Sequence, residues 1–169
     1  MISVDDMILL KTGQEISDAR KVYGCVTELS DIVQPESGDG DGDGDGQIKI
    51  DRQHYYDNPD LYEPVFHERV APYTNVLVNG IYWDQRFPRL LTKRQIMNMQ
   101  KPSPSPSPTF SNSLLAIADI SCDIGGSIEF LERSSTIDNP FYRFDTITGR
   151  CSNELGTDTQ THIIAIAIT

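Results

Sequence analysis

The sequence predicts an α/β fold built on a partial doubly wound parallel sheet, and three observations carry that expectation. Residues 75–82, Asn-Val-Leu-Val-Asn-Gly-Ile-Tyr, and residues 114–120, Leu-Leu-Ala-Ile-Ala-Asp-Ile, are short and nearly continuous apolar runs. Runs of this kind read as strands buried on both faces of a parallel sheet. Between them, Thr92 can cap a helix reaching to about Gln100. Residues 162–168 form a weaker third apolar run. Strand, helix and strand in that order is the grammar of a doubly wound sheet.

The remaining elements follow in chain order. Residues 15–26 read as a helix leading into the apolar stretch Val22-Tyr23-Gly24-Cys25-Val26. Residues 37–46 alternate Gly and Asp after an initial Ser. Glycine frees that backbone and the aspartates repel one another, so a flexible surface loop is expected. A calcium loop is the sharper alternative, but the run lacks the closing bidentate Glu such a loop needs. In residues 53–70, Asp57-Asn58-Pro59 argues for a turn, followed by a short helix near 61–69. Residues 101–108, Lys-Pro-Ser-Pro-Ser-Pro-Ser-Pro, read as a stiff polyproline spacer, with a proline-motif ligand as the weaker alternative. The whole chain, 1–169, is expected to form one domain interrupted by these two segments.

Composition excludes several classes of function. The formal net charge is -11, which argues against nucleic acid as a partner. No apolar run approaches the ~20 residues of a membrane span, and Met1-Ile2-Ser3-Val4-Asp5-Asp6 does not look like a targeting signal. Cys25, Cys122 and Cys151 are odd in number and widely spaced, so reduced thiols inside a cell are expected rather than disulfides or zinc. His54, His67 and His162 have no metal-ligand spacing, and no metal site is expected. No Ser-His-Asp arrangement can be argued from spacing, and Trp83 reads as a packing residue.

In doubly wound sheets ligands sit beyond the carboxyl ends of the strands. That rule singles out Asn79-Gly80-Ile81-Tyr82 and Ser121-Cys122-Asp123-Ile124-Gly125-Gly126-Ser127. The second stretch places a carboxylate and two glycines directly after a strand. Glycine there lets backbone amides approach a ligand, and the carboxylate can meet a ribose or a cationic amine. The plainer reading of Asp-x-Gly-Gly is turn chemistry. Cys122 can likewise be read as a thiol beside a ligand or as a small buried apolar group.

The order of short motifs adds to this. Asp18-Ala19-Arg20-Lys21-Val22-Tyr23-Gly24, Ala71-Pro72-Tyr73-Thr74, Val78-Asn79-Gly80-Ile81-Tyr82-Trp83, Pro88-Arg89-Leu90-Leu91-Thr92, Asp119-Ile120-Ser121, Gly125-Gly126-Ser127-Ile128-Glu129-Phe130 and Thr136-Ile137-Asp138-Asn139-Pro140-Phe141 are collinear. Together they resemble the lysine-ketoglutarate reductase domain of the bifunctional lysine-ketoglutarate reductase/saccharopine dehydrogenases, the alpha-aminoadipic semialdehyde synthase family. More distantly, the plan is similar to the nucleotide-binding domain of alanine dehydrogenase and transhydrogenase.

The resemblance implies a Rossmann-like domain and reduction of the imine between lysine and 2-oxoglutarate by NADP or NAD in its reduced form, giving saccharopine in the mitochondrial matrix. Carried over by position, Asn79, Gly80 and Ile81 would border the nucleotide. Ile120, Ser121, Cys122 and Asp123 would lie near the nicotinamide ribose. Asp123 would act as the orienting or electrostatic group beside hydride transfer. The resemblance also implies the rest of the enzyme, or a second copy of the chain, as a partner.

The chain departs from the family pattern in several ways. It contains no Gly-x-Gly-x-x-Gly. The family's first strand and glycine-rich turn lie upstream of the segment matching residues 1–26, and the substrate domain with its catalytic lysine and histidine lies further upstream. Cys122 stands where the family usually has alanine, and Ile124 where it has a small or polar residue. Beyond about Asp145 the match fades. A fragment inactive by itself is the expectation, because a pyrophosphate normally rests on that first turn. The alternative is a non-catalytic binding or assembly module. The choice between NADH and NADPH rests on a residue that the resemblance puts upstream.

Overall fold

The computed structural model describes residues 1–11, 21–36, 49–99 and 114–153, and the backbone of residues 162–167. The chain opens with helix α1, Val4–Lys11. Ser3 caps it reciprocally, the Asp6 amide donating to Ser3 Oγ at 3.1 Å and the Ser3 amide to Asp6 Oδ2 at 3.0 Å. Helix α2, Leu29–Ile32, leads directly into strand β1, Val33–Pro35. Helix α3, Arg52–Asp57, follows, capped by Asp51. A 3-10 turn, Pro59–Leu61, and strand β2, Tyr62–Pro64, come next. Strands β1 and β2 pair antiparallel as a separate two-stranded sheet. Tyr55 of α3 is wedged edge-on against Tyr62 at 5.1 Å between ring centres and lies 5.3 Å from Phe87. Helix α4, Phe66–Arg69, and a 3-10 turn, Ala71–Tyr73, carry the chain to the main sheet.

Among the described residues that sheet has five strands in the order β3-β4-β7-β5-β6. They are β3 (Val76–Asn79), β4 (Ala116–Asp119), β5 (Tyr142–Asp145), β6 (Arg150–Ser152) and β7 (His162–Ala167). Strands β3, β4 and β7 run parallel. Strand β5 runs antiparallel to both β7 and β6. Helix α5, Lys93–Met99, lies between β3 and β4 in sequence. The chain is therefore an α/β structure, but its sheet is mixed rather than wholly parallel.

The reversal between β5 and β6 has a local cause. After β5 the Asp145 carboxylate accepts from the amides of Ile147 (2.8 Å) and Thr148 (3.2 Å). Gly149 then takes a φ of 68°. Aspartate folding back on its own backbone, followed by a left-handed glycine, closes a tight hairpin.

The core gathers side chains from this sheet, from helices α4 and α5, and from the segment between β4 and β5. Phe66, Leu91, Ile96, Ile117, Ile128, Phe130 and Phe144 are fully buried. Phe130 stacks on Phe144 with ring centres 4.5 Å apart.

Burial corrects the expectation of strands covered on both faces. In β3 the alternate residues Val76 and Val78 are 58% and 63% exposed, while Asn79 is 1% exposed. In β4 only Ile117 and Asp119 are buried. Both strands thus have one covered face among the described residues, and the polar strand ends are the deeply buried positions.

Other boundaries moved for identifiable reasons. The helix expected near 61–69 shrinks to α4 because residues 62–64 pair with β1 and Pro64 cannot continue a helix. The helix expected to lead into residues 22–26 falls mainly on residues outside the described ones, and residues 21–26 are extended or irregular. Cys25 there bridges Ile2, and Val22 and Val26 are exposed rather than buried. Residues 12–20, the Gly-Asp segment 37–46 and the proline segment 101–108 lie outside the described residues. No described helix is long and apolar enough to cross a membrane.

Candidate functional site

The site is built where β3 and β4 end. Asn79 and Asp119 are register partners at the carboxyl ends of these parallel strands, each 1% exposed. Burying a carboxylate and an amide this deeply is unfavourable unless their hydrogen-bonding groups are met. They are met by each other and by two serines. Asn79 Nδ2 donates to Asp119 Oδ1 and to Ser127 Oγ, each at 3.0 Å. Asn79 Oδ1 accepts the Ile81 amide at 3.3 Å. Asp119 Oδ1 also accepts the Ser121 amide at 3.0 Å and the Ser121 hydroxyl at 2.7 Å.

From this buried knot two loops leave the sheet. The first carries Gly80, which is exposed with open space where a Cβ would stand, and Ile81, 41% exposed. The second carries Ile120 and Ile124, 58% and 50% exposed, on either side of Ser121, Cys122 and Asp123. Cys122 has a φ of 56°, unusual for a residue with a side chain. Partial burial and the carboxylates of Asp119 and Asp123 push its thiol pKa up, so the reactive thiolate is disfavoured. Its Sγ lies 3.8 Å from the Asp119 carbonyl oxygen.

Asp123 is half-buried and turns the chain: its carbonyl accepts the Gly126 amide at 2.9 Å. Gly125 has a φ of 63°. At Gly126 an added Cβ would lie 2.4 Å from Asp123 Cβ and 2.8 Å from its carbonyl oxygen, so glycine is required there by contact. Arg89 closes the turn from outside. Its Nη1 donates to the carbonyls of Gly125 and Gly126, and its guanidinium lies over the Trp83 ring at 4.5 Å. Trp83 is itself fixed, its indole N–H donating to the Phe87 carbonyl at 3.0 Å.

The loop is also tied to helix α5. Leu91 and Ile128 form a parallel bridge, and Glu129 Oε2 accepts the Lys93 amide at the helix start at 2.7 Å. Thr92 and Gln95 complete the start reciprocally, with Thr92 N to Gln95 Oε1 at 2.8 Å and Gln95 N to Thr92 Oγ1 at 3.2 Å.

The residues singled out by sequence therefore gather at one end of the sheet: Asn79, Gly80 and Ile81 on one strand end, Ile120, Ser121, Cys122 and Asp123 on the next. Sequence reasoning assigned no site role to Asp119, Ser127 or Arg89, although all three stand in the collinear motifs. The available signals were the strand-terminal Asp and Asn at matching positions and the arginine before helix α5. Among the described residues no group of three His, Cys, Asp or Glu stands close enough to hold a metal ion.

No family model matches the chain. Comparison with curated proteins is specific. The chain is 39% identical over 142 residues to alpha-aminoadipic semialdehyde synthase of Arabidopsis thaliana, covering 84% of this chain and 12% of that protein. It is 38% identical over 143 residues to the mitochondrial alpha-aminoadipic semialdehyde synthase of Bos taurus, and 36% to that of Rattus norvegicus. Those two matches cover 80% of this chain and 14% of each relative. The chain thus spans 12–14% of the length of the curated relatives it matches. The collinear motifs and this level of identity place the chain, over the matched residues, in the alpha-aminoadipic semialdehyde synthase family, as kin to one segment of it.

Proposed function

We propose that this chain corresponds to a nicotinamide-binding segment of a saccharopine-forming reductase of lysine degradation, and that it is inactive by itself. The observation that carries the reading is the joined end of β3 and β4, where two loops leave a shared buried knot. A parallel sheet offers its ligand site at such a place, and the family resemblance suggests the chemistry. The sheet is read as a Rossmann-like remnant on the same grounds.

The arrangement suits the nicotinamide half of a dinucleotide. Ile81, Ile120 and Ile124 present exposed apolar side chains beside the polar Ser121 and Asp123. The chain has no Gly-x-Gly-x-x-Gly to hold the pyrophosphate. NADPH or NADH, when bound, would supply a hydride to the carbon of the protonated imine formed from lysine and 2-oxoglutarate, whose nitrogen takes the C=N electron pair and keeps its proton as the amine forms. Asp123 is assigned the orienting, electrostatic role beside that transfer, and Gly80 leaves room at the neighbouring strand end. Lysine and 2-oxoglutarate as substrates, and the mitochondrial matrix as location, are part of this proposal and follow the family resemblance; the names of the mammalian relatives carry the word mitochondrial.

A second reading is a binding or assembly module, favoured by the exposure of Val76 and Val78 on the outer face of β3. Calorimetric titration of the folded chain with NADH and NADPH separates the two. Micromolar binding supports the cofactor segment, with no turnover of lysine plus 2-oxoglutarate expected from the chain alone. A folded chain that binds neither dinucleotide overturns the cofactor reading and favours the module.

A further inference from the structure

The proton inventory of the buried knot determines what each of its members can still offer. An asparagine amide has two N–H donors, and those of Asn79 end on Asp119 and Ser127. A serine hydroxyl has one proton, and that of Ser121 ends on Asp119. The Ser121 amide ends on the same carboxylate oxygen. Asn79 therefore has no donor left for a ligand. Ser121 keeps only lone pairs on its hydroxyl oxygen, a half-buried acceptor at the start of the loop that carries Asp123.

We infer that Asp119 and Asn79 are positioning residues of the strand-end site, which fix Ser121 as a hydrogen-bond acceptor for a ligand N–H or O–H and do not touch the ligand themselves. The inference deepens the proposed function and rests on it for the ligand class, a carboxamide or a ribose hydroxyl of a nicotinamide dinucleotide. It departs from the expectation that the side chain at the end of β3 borders the nucleotide. In this assignment Asn79 acts through Asp119, and Asp119 through Ser121.

The test compares the wild-type chain with Asp119→Asn, the exchanged pair N79D/D119N, and Ser121→Ala. Amide hydrogen exchange is followed residue by residue without ligand, and affinity for NADPH and NADH by titration. In Asp119→Asn the Ser121 amide is expected to exchange about tenfold faster or more, with the core amides of Phe130 and Phe144 unchanged. Restoring an amide–carboxylate pair in N79D/D119N is expected to return both exchange and affinity toward wild type.

Unchanged exchange at Ser121 in Asp119→Asn overturns the positioning role. So does an exchanged pair that restores slow exchange but not affinity, because the carboxylate at position 119 would then be a direct ligand contact. Should Asp119→Asn fail to fold, Ser121→Ala leaves the buried pair intact. It is expected to lose affinity about fivefold, the worth of roughly one hydrogen bond, with a lower Tm from the lost hydroxyl bond to Asp119 but a chain that still folds. Unchanged affinity in that variant overturns the acceptor role. A wild-type chain that binds neither dinucleotide overturns the cofactor reading, while the exchange comparison still decides whether Asp119 positions Ser121.

Discussion

Asn79 and Asp119 face each other as register partners at the ends of two parallel strands, with Nδ2 and Oδ1 3.0 Å apart in a site from which water is excluded. Neither residue would be tolerated there alone. A buried donor or acceptor without a partner loses its hydration and gains nothing in return. The pair therefore couples the two loops that leave the sheet, since disturbing either strand end strands the polar group of the other.

Ser127 tests that coupling with a small change. Ser127→Ala removes the acceptor of one buried Asn79 N–H. It is expected to cost about 1–3 kcal/mol, and Asn79→Ala at least as much. Urea denaturation of the chain measures both. A Ser127→Ala chain as stable as wild type would mean that the amide proton finds another acceptor.

The two neighbouring glycines are expected to behave differently. Gly125→Ala has open space for its Cβ but a positive φ, and should cost about 1–2 kcal/mol. Gly126→Ala would push its Cβ into the Asp123 backbone, which cannot rotate away, so the turn itself must move. We expect a loss of about 1–3 kcal/mol from overpacking, together with altered amide shifts from residues 121 to 127. Equal and local effects of the two changes would contradict the close contact at position 126.

Arg89 combines two roles that lysine cannot share. Its planar guanidinium lies over Trp83 and donates to two consecutive carbonyls of the turn. Lysine is a compact charge without that plane. Arg89→Lys is expected to destabilise the chain by roughly 1 kcal/mol and to shift the emission of Trp83, the single tryptophan of the chain. Unaltered fluorescence in Arg89→Lys would show that the stacking is not maintained in solution.

Cys151 sets an alkaline limit. Its Sγ donates to the Phe130 carbonyl at 3.5 Å. Burial, and then the nearby Glu132 carboxylate, push its pKa from 9.0 to about 11. A pKa raised on folding means that the native state holds the proton more tightly. The associated stability is full below pH 9.0 and is lost as pH rises through about 11. Melting temperature should fall over that window in the wild type and fall less in Cys151→Ala. Burial likewise pushes Tyr55 and Tyr142 up to about 12, extending the decline. At pH 8 a thiol reagent should modify Cys151 slowly, and rapid modification there would refute the raised pKa.

Much of the local architecture was legible from residue patterns. Helix α5 falls within the segment marked by Thr92, and β3 and β4 fall inside the two apolar runs. The turn expected at Asp57-Asn58-Pro59 is there, at the end of helix α3, a helix that the residue pattern did not announce. Helix α1 was missed because its apolar residues form no clear stripe, and the β5–β6 hairpin because Asp145-Thr146-Ile147-Thr148-Gly149 was not read as turn chemistry. The family could be recognised from collinear motifs, which need no structure at all.

The sequence by itself determined the α/β composition, the strand ends that carry the candidate residues, and the kinship with alpha-aminoadipic semialdehyde synthase. These rest on properties of contiguous residues: periodicity, capping and motif order. Only the tertiary structure decided that the sheet is mixed, that Val76 and Val78 face outward, and that Asn79, Asp119, Ser121 and Ser127 share one set of protons. Those facts depend on which strands lie side by side, and for Asn79 and Asp119 the pairing spans 40 residues of chain. No local propensity records which strand lies beside which, and it is that adjacency that turns two isolated polar residues into a satisfied, buried pair.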